Sequence, residues 1–145
     1  DDAIRIVSTS SFLQKKDPLL IVEHLNLRGC KKLTEAAIGN LIKCTKNVQV
    51  LDISECEVSP NIAKLIAKHC PSLVDLSLAR IKSPVLPLLQ KSTLPALRTL
   101  DITALKGSQI NLQSFPSLVK LKACEYGFEL AAPTANSPVN SLFQL

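Results

Sequence analysis

Five times along this chain an apolar residue is followed three and five places later by two more, and that frame limits the fold more than any other feature. Val22, Leu25 and Leu27 open the first copy, Val48, Leu51 and Ile53 the second, Leu73, Leu76 and Leu78 the third, and Leu97, Leu100 and Ile102 the fourth. A fifth begins at Leu118 and Leu121, and successive starts lie 26, 25, 24 and 21 residues apart. Cys30, Cys56, Ile81 and Leu105 close the frame. Alternation of apolar and polar residues across each triplet is the two-residue period of a strand. In the first copy Leu33, Ile38, Leu41 and Ile42 follow at helical spacing. One strand and one helix cannot bury an apolar face alone, so the copies must stack.

Stacked units of this period predict an α/β fold, a right-handed leucine-rich-repeat solenoid with a parallel β-sheet on the concave face and helices and short turns on the convex face. The repeats occupy residues 22–47, 48–72, 73–96 and 97–117, with a partial one at 118–128. Residues 1–21 read as an N-terminal cap or degenerate repeat, since Ile4 and Ile6 sit 21 places before Leu25 and Leu27. Residues 129–145 read as a C-terminal cap or tail: from Ala131 on they are mostly small and polar with two prolines, the composition of a tail or linker, and they end on Leu142, Phe143 and Leu145, which suits a cap or a short peptide motif. Because the first residue is Asp rather than Met, a processed chain or an expression fragment is the expectation.

Local signals set the connections. Thr34 is the expected N-cap of the first helix, with Glu35 in its first turn and Lys43 and Lys46 near its end, in keeping with the helix dipole. In the second copy Ser59 is the expected cap with Pro60 at the first helical position, and Ser83-Pro84 repeats that start in the third. Pro87 predicts a short or distorted third helix. The fourth copy, 21 residues long with Gly107 and Ser108 in its middle, has room only for a single turn or 3₁₀ piece carrying Ile110, Leu112 and Phe115 inward. Shortening of the convex side predicts a curvature that changes along the array.

The chain resembles the cysteine-containing leucine-rich repeats of F-box/LRR proteins and their relatives. Cys30, Thr34-Glu35 and Cys44 in the first repeat carry the resemblance, with Cys56 and Cys70 in the second and the joints Cys70-Pro71-Ser72-Leu73, Leu94-Pro95-Ala96-Leu97 and Phe115-Pro116-Ser117-Leu118. Cys30 and Cys56, and likewise Cys44 and Cys70, are one 26-residue period apart and read as equivalent positions. They are expected as reduced, buried thiols of a cytoplasmic or nuclear compartment. No close Cys pair of the zinc-site kind occurs, so no metal is expected.

Residues between the leucines face the concave surface, the default binding face of such an array. The set is His24, Asn26 and Arg28; Val50, Asp52 and Ser54; Asp75, Ser77 and Ala79; Thr99, Asp101 and Thr103; and Lys120, Lys122 and Cys124. Carboxylates at Asp52, Asp75 and Asp101 hold the middle, Arg28 one end, and Lys120 and Lys122 the other; these six are the expected partner-binding residues. The face carries no Trp, Tyr or Phe, so either the partner is expected to supply the aromatic anchors, or the strongest contacts are expected elsewhere, near Tyr126 and Phe128 or on repeats outside this sequence.

A net charge of +5 raises nucleic acid as a partner. The placement of Lys43, Lys46, Lys64, Lys68 and Lys91 late in or just after the helices, without interleaved aromatic residues, argues against it. Neither a membrane span nor a signal peptide is legible. Two histidines, four glycines and no phosphate loop or nucleophile elbow argue against an enzyme or a cofactor, and Cys124 beside Lys122 is the one thiol placed for modest activation.

The expected role is therefore a non-catalytic protein–protein interaction module. The resemblance implies the substrate-recognition part of an F-box/LRR-type ubiquitin ligase subunit. The alternative is a scaffold or assembly-factor repeat domain, including a pathogen effector module, with no ubiquitin role. Oligomeric state is left open.

Overall fold

The computed structural model describes residues 22–105 and 109–123. Expectations placed on residues 1–21, on Gly107 and Ser108, on Cys124, Tyr126 and Phe128, and on the 129–145 tail lie outside the described residues.

Each apolar triplet yields one three-residue strand: β1 His24–Asn26, β2 Val50–Asp52, β3 Asp75–Ser77, β4 Thr99–Asp101 and β5 Lys120–Lys122. The strands form one all-parallel sheet in chain order. Leu25, Leu51, Leu76, Leu100 and Leu121 are mutual register partners, so the spacing of the sequence frame is the register of the sheet. The leucines of β2 to β4 are buried, and the residues beside them are half-buried on the other face, the alternation expected of a strand covered on one side.

The ladder continues beyond the strands. Leu27, Ile53 and Leu78 donate their amides to Asp52, Ser77 and Asp101 at 2.7, 3.1 and 2.8 Å. Gly29, Glu55 and Arg80 do the same to Ser54, Ala79 and Thr103 at 2.9, 2.9 and 2.8 Å. To reach that second bond the chain turns through a left-handed residue at one fixed place in four copies: Gly29 (φ 68°), Glu55 (φ 62°), Arg80 (φ 58°) and Ala104 (φ 57°). This is the third residue of a tight turn closed by the amides of Cys30, Cys56, Ile81 and Leu105.

Helices return the chain from each strand to the next: α1 Glu35–Cys44, α2 Ile62–His69, α3 Leu86–Gln90 and a 3₁₀ turn at Leu112–Ser114. They shorten in order, 10, 8, 5 and 3 residues, as the copies do. Thr34 caps α1 as expected, its Oγ1 accepting the Ala37 amide at 3.2 Å. Gly39 lets α1 approach α2, since a β-carbon there would stand 3.1 Å from Leu65 Cδ1.

The expected start of α2 is corrected: Ser59 and Pro60 form a preceding turn, in which Ser59 Oγ accepts the Asn61 amide, and the helix begins at Ile62. Ser59 also donates to Glu35 Oε1 at 2.6 Å, which fastens this turn to α1. The start of α3 moves likewise from Ser83-Pro84 to Leu86, and Pro87 falls in the first turn, where no helical hydrogen bond is lost. The helix is short, as expected, and the 3₁₀ turn buries Ile110, Leu112 and Phe115.

The expected equivalence of Cys44 and Cys70 does not hold. Cys70 corresponds to Thr45: both follow the last residue of a helix, donate to the carbonyl four residues back, and accept from Val48 or Leu73 three residues on. Leu94 and Phe115 take the same place before Leu97 and Leu118. The three-residue step into the strand is invariant, so length varies upstream of it. Thr45 is fully buried because its hydroxyl donates to Leu41 O at 2.9 Å.

Candidate functional site

On the sheet face opposite the leucines, register aligns two rows. His24, Val50, Asp75, Thr99 and Lys120 make one, and Asn26, Asp52, Ser77, Asp101 and Lys122 the other. Asp52 and Asp101 are two strands apart, about 10 Å at ordinary strand spacing. Lys122 Nζ lies 3.9 Å from Asp101 Oδ2. Asp75 and Lys120 belong to the first row, and Arg28 lies just beyond the end of β1. The six residues expected from the sequence thus share one side of the sheet, without converging on one point.

Two carboxylates have a second task. Asp52 Oδ1 accepts the Ser54 amide at 2.9 Å and Asp101 Oδ1 accepts the Thr103 amide at 3.0 Å, as Asn26 Oδ1 accepts that of Arg28 at 3.0 Å. These side-chain turns steer the chain out of the strand into the left-handed turn. Ser54 and Ala79, expected on the exposed surface, are buried. The Ser54 hydroxyl is engaged between copies, 2.7 Å from Ser77 Oγ and accepting the Ala79 amide at 3.2 Å.

Among the described residues the closest side-chain ion pair lies at the carboxyl ends of the strands. Arg28 donates through Nη2 and Nε to Glu55 Oε1 at 2.9 and 3.3 Å, and Arg80 Nη1 stands 3.7 Å from the same oxygen. The hydrogen bond from Arg28, its charge and that of Arg80 hold the Glu55 carboxyl below the usual range, and Glu55 raises Arg28 in return. Sequence reasoning missed Glu55 and Arg80. The available signal was the place seven residues after each copy begins, where the first copy has glycine and the next two have charges.

Beside this cluster a cleft of about 570 Å³ opens between the turns that follow β1, β2 and β3. Val58 and Cys56 contribute apolar lining and are almost fully buried. Lys31, Glu55, Glu57, Arg80 and Lys82 supply its charges. Ser59 and Ser83 complete the wall, but their hydroxyl protons are already given to Glu35 Oε1 and to Val58 O.

Cys30, Cys44, Cys56 and Cys70 are free thiols; Cys56 and Cys70 are buried as expected, whereas Cys30 and Cys44 are only half-buried. Burial raises Cys56 and pushes Cys70 up to about 11, and the Cys56 thiol donates to Leu27 O at 3.0 Å. His69, at the end of α2, is held below its ordinary value by burial and by Lys68, Lys43 and Lys46. Among the described residues no three His, Cys, Asp or Glu side chains cluster to hold a metal ion, and no helix is long and apolar enough to cross a membrane. No protein-family model matches the chain.

Proposed function

We propose that this chain is a right-handed leucine-rich-repeat solenoid of the F-box/LRR kind whose job is to hold another protein, without catalysis, in a reducing compartment. The carrying observation is the register: five short parallel strands bring ten non-core side chains into two unbroken rows. An extended surface of this sort suits a protein partner better than a small molecule. The central carboxylates select for cations on that partner, with Lys120 and Lys122 ordering its orientation. Substrate recognition for a ubiquitin ligase is the specific role that the repeat resemblance favours.

The test uses the full chain and a partner identified by proximity crosslinking, with affinity then measured on purified components. Asp75→Lys is the informative variant, because Asp75 makes no turn-capping bond like those of Asp52 and Asp101. It should weaken binding about tenfold, worth about 1.4 kcal/mol, without moving the unfolding midpoint. Equal loss from Lys64→Glu or Lys68→Glu on α2, with Asp75→Lys silent, would assign recognition to the helices and overturn the sheet-face reading.

A further inference from the structure

We propose that the cleft at the carboxyl ends of β1, β2 and β3 recognises an anionic side chain, a carboxylate or a phosphate monoester, on a bound peptide segment. This rests on the protein-binding reading above and names the partner's chemistry.

Its cations come from the first and third copies, two of them from equivalent places. Lys31 and Lys82 each lie nine residues after the start of their copy, with Glu57 in that place between them. Arg80 shares the cleft wall with them. Among the described residues neither Lys31 nor Lys82 has a carboxylate within ion-pair distance, and Arg80 has only a 3.7 Å contact through one nitrogen. Glu55 is already committed to Arg28. Two lysines and most of the Arg80 donor fork are therefore left for an incoming anion, which planar guanidinium and point-like ammonium groups bind together.

The remaining lining narrows the occupant. The hydroxyl protons of Ser59 and Ser83 are spent, so recognition falls to the three cations. Glu57 on the same wall repels a polyanion, which disfavours a nucleic acid and favours a segment carrying one acidic group. The volume, about 570 Å³, accommodates a few side chains and is larger than a bare ion requires. Glu55 and Arg80 stand at left-handed positions where glycine is the easy choice.

The experiment is an amide-resonance titration of the ¹⁵N-labelled full chain with blocked alanine pentapeptides whose central residue is phosphoserine, glutamate or serine, and with inorganic phosphate. The acidic peptides should shift residues 31, 55–59 and 80–83 saturably, the serine peptide should not, and inorganic phosphate should bind at least about tenfold more weakly. Lys82→Gln and Arg80→Gln should each weaken the acidic peptides about tenfold while the rest of the spectrum holds. Lys82→Gln leaves the Arg28–Glu55 pair untouched and guards against a folding artefact. No saturable shift, equal response to the serine peptide, or phosphate as tight as peptide overturns the proposal. A peptide response with no protein partner at the sheet removes the broader functional reading and keeps this site; partner binding unmoved by both variants, with no peptide response, does the reverse.

Discussion

Asn26 and Asp52 are register partners across β1 and β2, and each accepts the amide two residues further on, at 3.0 and 2.9 Å. An amide and a carboxylate thus do one job in successive copies. The job needs the side-chain oxygen and not its charge, which separates the structural role of Asp52 and Asp101 from any electrostatic role toward a partner.

Asp52→Asn and Asp101→Asn should therefore leave the urea midpoint almost unchanged, while the alanine variants should each cost about 1 kcal/mol, the usual value of one such hydrogen bond. If asparagine destabilises as much as alanine, the carboxylate charge is holding the fold.

The recurring left-handed residue gives a paired test. Gly29→Ala meets no atom within 4 Å, so its cost, about 1 kcal/mol, is conformational alone. Ala104→Gly relieves the same strain at φ 57°, partly offset by the greater freedom of glycine in the unfolded chain, and should stabilise by up to about 1 kcal/mol. Opposite signs in chemical denaturation are the expected outcome.

The Glu55 carboxyl is lowered, chiefly by its hydrogen bond from Arg28. A lowered acid contributes stability that is present above its unfolded value, about 4.3, and lost as pH falls through the folded one. Wild type should lose more stability than Glu55→Gln between about pH 5 and pH 3. The difference should shrink in high salt because Glu55 is only half-buried and its partner Arg28 is exposed. Equal losses in the two proteins would show that the pair contributes nothing measurable.

Thiol reactivity should follow burial. Cys30 and Cys44, half-buried, should alkylate before Cys56 and Cys70 in the native protein, with all four equivalent in denaturant, as read by mass spectrometry. Burial raises Cys70 to about 11, so its contribution to stability is complete below the ordinary thiol range, about 8.5, and is lost as pH rises through the folded value. Early labelling of Cys70 would contradict its burial.

Leu76 is fully buried in the middle of the central strand, and Leu76→Ala should cost about 2–5 kcal/mol in urea denaturation. A loss below about 1 kcal/mol would mean that the leucine column is not the core.

The apolar frame alone determined which residues pair. A strand has a two-residue period and a return helix has a minimum length, so equal frames at intervals of 26, 25, 24 and 21 residues admit one parallel register, the one from Leu25 to Leu121. The Thr34 cap, the short α3 and the 3₁₀ turn were legible for the same local reasons. Tertiary structure decided what depends on neighbours from other copies. Cys70 matches Thr45 and not Cys44, because the step from helix into strand is fixed while the helix start slides. Ser54 is buried because Ser77 and Ala79, from the next copy, use its hydroxyl. Glu55 becomes the charged centre because the turn places it between Arg28 and Arg80, residues of the copies on either side. Spacing along a chain specifies periodicity, whereas contacts between one copy and the next exist only once the copies have stacked.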